Sequence, residues 1–474
     1  MVRLVLLYLT RVRILTNHRL SGNWLREIDA LHARYGDFVR IGPNELSCAH
    51  PQSIKDIYGQ PNINHPLFFR KSTTFYKQTD RGGGALGTEV DPHVHQGIRK
   101  LLSPGFSAST LRTQSDIVIR HINSLIDQMS KRGNTPQGMD VSQWYMWLAF
   151  DVIADLSFGE ELGTVEMGQA NEWVHMLANS GFQVALDYVV RRRWKCFQKL
   201  VRYFFINKKS KIMRKKYLAI ARQAASQRIQ RNTNRTDFFS HLLREKAPEA
   251  NIDFFTSQSS NLIAGGTETT SALLSAVTYY LLKHPQCLKQ LQEELRYEFQ
   301  YHSEINGEST KPLKYLNAVI EEGLRIFGTA VFGLPRVSPG STVAGKWVPK
   351  GTVIATATNV ISSDERWFYK AKEFHPERWL PADHPCHNAV FNHDHKEFSR
   401  PFSIGTRSCI AVHLSYMEVR ICIAKVAWSF DWEQANDEED FIRDARMLPL
   451  IKPAPFHVRF RPSQELQNRF PKET

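Results

Sequence analysis

A mainly α-helical fold with a minor β region is what this sequence predicts, on three observations. Long segments from about residue 91 onward repeat apolar residues at helical spacing. Alternating, β-branched pieces gather near the start and again between Leu334 and Ala357, enough for a small sheet at one edge. With 474 residues, 42% of them hydrophobic, the chain can bury a sizeable core, which excludes a disordered chain, a collagen-like polymer and a disulfide mini-scaffold.

The elements follow in order. Near the start, LVLLYL (Leu4 to Leu9) lies between Arg3 and Arg11, and its six residues fall far short of the roughly 20 that cross a bilayer. Residues 1–20 read as a short or truncated membrane-proximal segment without a complete anchor or secretory signal. Residues 21–474 read as one domain, because no Gly/Ser- or Pro-rich linker and no internal repeat divides them. NWLREIDALHARYG predicts a helix, and DFVRIGPNELS predicts extended pieces about a Gly-Pro-Asn turn. Helices are expected over HVHQGIRKLL, DIVIRHINSLIDQM, WYMWLAFDVIADLSF, Asn251 to His284, CLKQLQEELRYEF and LKYLNAVIEEGLRIF, and a last long one from about Ala411 to Phe430.

Composition narrows the function classes. The six cysteines are scattered with no C-x-x-C pair and no zinc spacing, so neither a disulfide framework nor a structural metal site is indicated. The net charge of +14 suits an anionic membrane surface or nucleic acid, but none of the usual nucleic-acid recognition motifs is present. Much of the excess sits between Arg191 and Lys216, where twelve Lys or Arg interleave with Trp194, Phe197, Phe204 and Phe205 and no acid intervenes. That run fits either a basic amphipathic surface resting on headgroups or a solvated helix pair with core aromatics.

Four constellations carry chemistry. In PFSIGTRSCIA, Phe402, Gly405 and Arg407 precede Cys409 at the start of a long apolar helix. A helix start favours a thiolate and lowers its pKa, Gly405 allows a tight turn, and Arg407 offers a fixed cation to an anionic cofactor group. Taken alone, such a Cys is more often a buried small residue. Glu322 and Arg325 stand three apart on one helix face, and Arg378 of FHPERW supplies a second guanidinium, an arrangement that makes sense when buried. LIAGGTETTSALL places Gly265 and Gly266 inside an apolar helix, where each costs about 1 kcal/mol against Ala, followed by Glu268 and Thr269. The glycines suit either a ligand groove or a packing notch for a crossing helix; the acid and hydroxyl could relay protons. His95 and Arg99, four apart, and Arg336 after Pro335 would supply, with Arg407, donors for two carboxylates of a flat macrocycle.

Together and in this order, these pieces resemble the cytochrome P-450 superfamily. The haem-binding signature F-x-x-G-x-R-x-C-x-G is matched by Phe402, Gly405, Arg407 and Cys409, with Ala411 in place of the final Gly. The E-x-x-R pair is Glu322 and Arg325, its partner is Arg378, and Gly265 to Thr270 match the oxygen-activation motif. HARYGDFVRIGPNELS looks like the fungal microsomal branch, similar to isotrichodermin hydroxylases, benzoate hydroxylases and pisatin demethylases. The departure is at the start, where the family's hydrophobic anchor and Pro-rich hinge are missing or shortened.

The resemblance implies the cytochrome P-450 fold, with haem b (iron protoporphyrin IX) between the long central helix and the Cys-ligand helix. Cys409 would be the proximal iron ligand, His95, Arg99, Arg336 and Arg407 would hold the propionates, and Glu268 and Thr269 would deliver protons. It implies a monooxygenase that takes NADPH electrons from a separate reductase and inserts one atom of O2 into a small apolar substrate of fungal secondary metabolism, at the cytosolic face of the endoplasmic reticulum. The pocket would be lined near Gly82 to Leu86, by Asn261 and Ala264, by Thr329, Ala330, Val331 and Phe332, and by Pro449, Leu450 and Ile451. Competing readings are a haem-thiolate isomerase or dehydratase, whose members often lack the acid–Thr pair, and a non-catalytic haem-binding protein.

Overall fold

The computed structural model describes residues 19–60, 68–76, 84–178, 185–186, 188–190, 192, 208–231, 235–244, 251–329, 333–448 and 451–469. Helix α1 (Trp24–Tyr35) ends at Gly36, whose φ of 79° lets the chain turn into β1 (Phe38–Gly42). β1 folds back antiparallel on β2 (Glu45–Cys48) around Pro43 and Asn44, where the sequence places its turn. The short helix α2 (Gln52–Tyr58) and the two-residue strand β3 (Arg70–Lys71) follow. Helix α3 (Pro92–Leu102) starts sharply, because the Asp91 carboxylate accepts from the amides of His93 and Val94 and Pro92 occupies the first turn.

The helical body continues through α4 (Ala108–Arg132), β4 (Met139–Asp140), α5 (Val141–Phe158), α6 (Lys208–Gln230) and α7 (Ile252–Lys283). After these come α8 (Pro285–Glu298) and α9 (Lys314–Ile326). α7 has 32 residues, a length of about 48 Å at 1.5 Å per residue. It is the axis of the molecule, packing against α5, α6, α9 and the last long helix, α10 (Val412–Ser429). α5 is apolar all round and buried along nearly its whole length, as a helix enclosed by others must be.

Sheet content is minor and sits at the edges. β5 (Arg336–Val337), β6 (Ser341–Val343), β7 (Lys346–Val348) and β8 (Val353–Thr356) fall in the stretch whose alternation predicts strands. The largest sheet has the order β1-β2-β8-β5-β3, with β2 and β8 parallel and the other neighbours antiparallel. β9 (Phe430–Gln434), the β10 (Arg446–Met447) and β11 (Ile451–Lys452) hairpin, and β12 (His457–Pro462) close the chain, with β12 between β4 and β9. The pairing of β2 with β8 joins distant segments, which no local pattern announces.

Among the described residues no helix is long and apolar enough to cross a membrane. The Leu4 to Leu9 run and most of Arg191 to Lys216 lie outside the described residues. Of that basic run, Arg192 is not a surface charge: its guanidinium is buried, paired with Glu45 and bonded to Ile41 O.

Candidate active site

The Cys409 segment is a tight loop before α10. The Cys409 amide donates to Phe402 O at 2.9 Å and the Ser408 amide to Gly405 O at 3.1 Å. Gly405 has φ 74°, and a Cβ there would stand 2.2 Å from Tyr58 O, so the loop requires glycine on both counts. The thiol is accessible although protein surrounds it. The lowered pKa expected of a thiol at a helix start is not what the structure gives. Burial pushes the Cys409 thiol above its ordinary value, outweighing the Ala411 amide and the Arg99 charge that favour the thiolate.

On α7, residues on either side of the motif are buried, yet Gly265 is exposed and Ala264, Glu268 and Thr269 are partly so. This face of the helix is therefore left open by its neighbours. The two glycines divide the two readings between them: a Cβ on Gly266 would meet the Ile153 side chain of α5 at 2.8 Å, whereas one on Gly265 would meet nothing within 4 Å. Gly266 is the packing notch and Gly265 the open groove. Thr269 Oγ1 donates to Gly265 O at 2.5 Å, and burial raises the Glu268 carboxyl to about 7 against the opposing charge of Lys452. A carboxyl so placed can give or take a proton near neutrality. Glu268 thus faces the β10–β11 hairpin, and the Ile451 amide of that hairpin donates to Thr329 O. Ala330, Val331, Phe332, Pro449 and Leu450 lie outside the described residues.

Cations converge beside the Cys409 loop. Arg407 donates to the backbone oxygens of Glu89, Val90 and Asp91, and Arg99 donates to Ser408 O at 2.7 Å. Arg336 is buried and donates to the Tyr76 hydroxyl at 3.0 Å. His95 is buried and held down to about 3 by that burial and by Arg407, Lys71, Arg99 and Arg336. Among the described residues no carboxylate is in ion-pair distance of His95, Arg99, Arg336, Arg407 or Lys71. Lys71 and Tyr76 carry no sequence signal; the pairing of β3 with β5 brings them to this cluster.

Glu322, Arg325 and Arg378 form one buried network. Arg325 donates to both carboxylate oxygens of Glu322, and Arg378 Nε lies 3.1 Å from Oε2. The His375 amide and Trp379 Nε1 complete the shell around the carboxylate, each at 2.9 Å. Burial alone would raise Glu322; Arg325 and Arg378 overcome it and hold the carboxyl below its ordinary value. Asp394, which no motif marks, pairs with the other end of Arg378.

A cytochrome P450 family model matches residues 10–460. The chain belongs to the cytochrome P450 family. It is 70% identical to "Cytochrome P450 monooxygenase btcC" of Colletotrichum orbiculare over 94% of this chain and 85% of that protein. It is also similar to the P450 monooxygenases BOA3 of Botryotinia fuckeliana, at 37% identity over 93% of this chain and 87% of the relative, and poxC of Penicillium oxalicum, at 36% over 94% and 85%. The fold matches that in "Crystal structure of cytochrome P450DA heme domain" with a TM-score of 0.78 over 94% of both chains, at 16% identity. This P450 is accordingly a monooxygenase with the P450 fold.

Membership of the P450 family implies haem, and the residues present fit it. An accessible thiol, an open helix face carrying an acid and a hydroxyl, and a set of cations without carboxylate partners among the described residues match an iron ligand, an oxygen side and a carboxylate cradle.

Proposed function

We propose that this P450 binds haem b through Cys409 and inserts one atom of O2 into a small apolar substrate of fungal secondary metabolism. The accessible Cys409 thiol beside a cluster of basic side chains that have no carboxylate in ion-pair distance among the described residues carries the reading. Haem supplies a redox-active iron for oxygen, and a thiolate ligand favours cleavage of the O–O bond.

The chain's own residues divide the remaining work. Phe402 O and the Gly405 turn hold the Cys409 backbone, and Arg99 bonds Ser408 O, so the thiol has a fixed direction. His95, Arg99, Arg336 and Arg407 hold the cofactor's carboxylates. The Thr269 hydroxyl spends its proton on Gly265 O, which leaves its oxygen able to accept a hydrogen bond from water or ligand. Glu268, at about 7, supplies the proton. Ala264 lies on the open face of α7 and, by the family resemblance, Ala330, Val331, Phe332 and Leu450 would join it in lining the substrate space, while the Glu322, Arg325 and Arg378 network fixes the segment leading to the Cys409 loop.

NADPH electrons arrive from a separate reductase. In support, a cleft of about 590 Å³ is lined by Phe402 and Ser403 together with Lys311, Lys314, Lys396, Arg400 and Glu321, with Lys311 and Lys314 paired to Glu308 and Asp383 and Lys396 and Arg400 left as its basic edge. The net charge of +14 and the basic run Arg191 to Lys216 support residence on the cytosolic face of the endoplasmic reticulum membrane.

Incubation with NADPH, reductase, isotopically labelled O2 and a panel of apolar fungal metabolites tests this function. One labelled oxygen atom enters the product. Product formed without NADPH and reductase would instead establish the isomerase or dehydratase reading.

A further inference from the structure

Antiparallel pairing of β3 with β5 sets Lys71 directly opposite Arg336, and both side chains are buried. Like charges facing each other across strands are destabilising, and burial makes the repulsion worse. The groups facing Lys71 deepen the conflict: Arg407 and Arg336 are cations, Glu89 is the acid that opposes them, and the Tyr76 ring lies 4.7 Å away.

The same amine holds a loop. Lys71 Nζ donates to Gly87 O at 2.8 Å, and the Gly87 amide donates to Asn261 Oδ1 on α7 at 2.9 Å. Gln258 of α7 grips the same loop, accepting from the Leu86 amide and donating to Gly84 O. Gly87 is thus bonded on one side to the cation cluster and on the other to the helix that carries Gly265 and Thr269.

We propose that Lys71 is a further residue of the cofactor's carboxylate cradle and a positioning residue for loop Gly84 to Glu89, tying Gly87 O and a haem carboxylate to one nitrogen. An ammonium has three donors, enough for both partners at once. Without an anion, burial and the neighbouring Arg407 and Arg336 hold Lys71 down to about 6, so near neutrality it is largely a neutral amine. A carboxylate in the cradle reverses the local charge and favours the ammonium. Filling the cradle therefore takes up a proton. The sign follows: binding assistance is complete below about 6, where Lys71 is protonated in both states, and fades as pH rises toward the higher value of the filled cradle.

This inference rests on the haem reading above, and haem transfer from the holoprotein to apomyoglobin, followed against pH, tests it. Wild-type transfer accelerates as pH rises above about 6. Lys71→Met accelerates transfer about tenfold or more at the acid end, the loss of one charge-assisted hydrogen bond, and flattens the pH course. Lys71→Arg, which keeps its charge at all these pH values, restores retention but not the pH course. Hydrogen exchange at the Leu86 and Gly87 amides speeds up in Lys71→Met and recovers in Lys71→Arg. Equal haem loss with an unchanged pH course in wild type and Lys71→Met, or unaltered exchange at those amides, overturns the proposal. The ferrous carbon monoxide spectrum stays thiolate-type in both variants, so failure of Cys409 ligation would show separately, in the wild type.

Discussion

Glu322 accepts two parallel hydrogen bonds from Arg325, Nε to Oε2 at 2.8 Å and Nη2 to Oε1 at 2.7 Å, with both side chains wholly buried. Arg378, Trp379 and the His375 amide share the same carboxylate, so removing its charge takes the ion-pair partner from Arg325 and leaves Arg378 to Asp394. Glu322→Gln should cost about 3–5 kcal/mol, the range for breaking a buried pair, read as a lower denaturation midpoint and loss of haem on purification. Because the folded-state pKa of Glu322 is depressed, its stabilisation is present above the ordinary carboxylate value and is lost as pH falls through the folded one. The acid limb of the wild-type stability curve should therefore be shallower in Glu322→Gln.

Glu268 is the proton source the account requires, and burial sets it at about 7. Below that value it carries a proton to give; above it the carboxylate cannot. Turnover limited by proton delivery should fall as pH rises through about 7 in the wild type, and Glu268→Gln should remove that inflection while lowering the rate by roughly 10²-fold or more, the usual contribution of a positioned acid. Thr269→Ala should lower product formed per NADPH consumed, measured as peroxide released.

The adjacent glycines should behave oppositely. Gly265→Ala adds a methyl to open space and gains up to about 1 kcal/mol of helix propensity, while changing the binding of ligands to the haem pocket. Gly266→Ala drives a methyl into Ile153 and should cost about 1–3 kcal/mol by overpacking, with Ile153→Ala relieving the clash. Thermal denaturation with azole titration of each variant separates the two effects.

Lys396 and Arg400 edge the basic cleft behind Phe402. Reversing both to Glu should raise the KM for reductase several-fold with a smaller change in kcat, and the defect should shrink as salt rises, since rim charges act mainly on encounter. A variant equal to wild type at low salt would remove the cleft from the electron-transfer surface.

The sequence discloses those parts of the site whose meaning is local. Glu322 and Arg325 share a helix face at spacing three, Gly405 precedes Cys409 in one short loop, and the run from Ile252 to Lys283 announces its helix by period. What stays hidden depends on pairing or on rotation about an axis. Lys71 acquires its role from Arg336 across a two-residue strand, and Asp394 from Arg378. Gly265 and Gly266 differ only in which way each faces on α7. The direction of the Cys409 pKa is hidden for a related reason: the helix start is visible in sequence, but the burial that outweighs it is not.

The central claim is that Cys409 would bind the haem iron through its thiolate. The ferrous carbon monoxide difference spectrum tests it most directly, on the wild type and on Cys409→Ser prepared with haem retained. The account predicts the red-shifted Soret band of thiolate ligation in the wild type and its absence in the variant. A wild type without that band, or a Cys409→Ser spectrum that keeps it, would contradict the account.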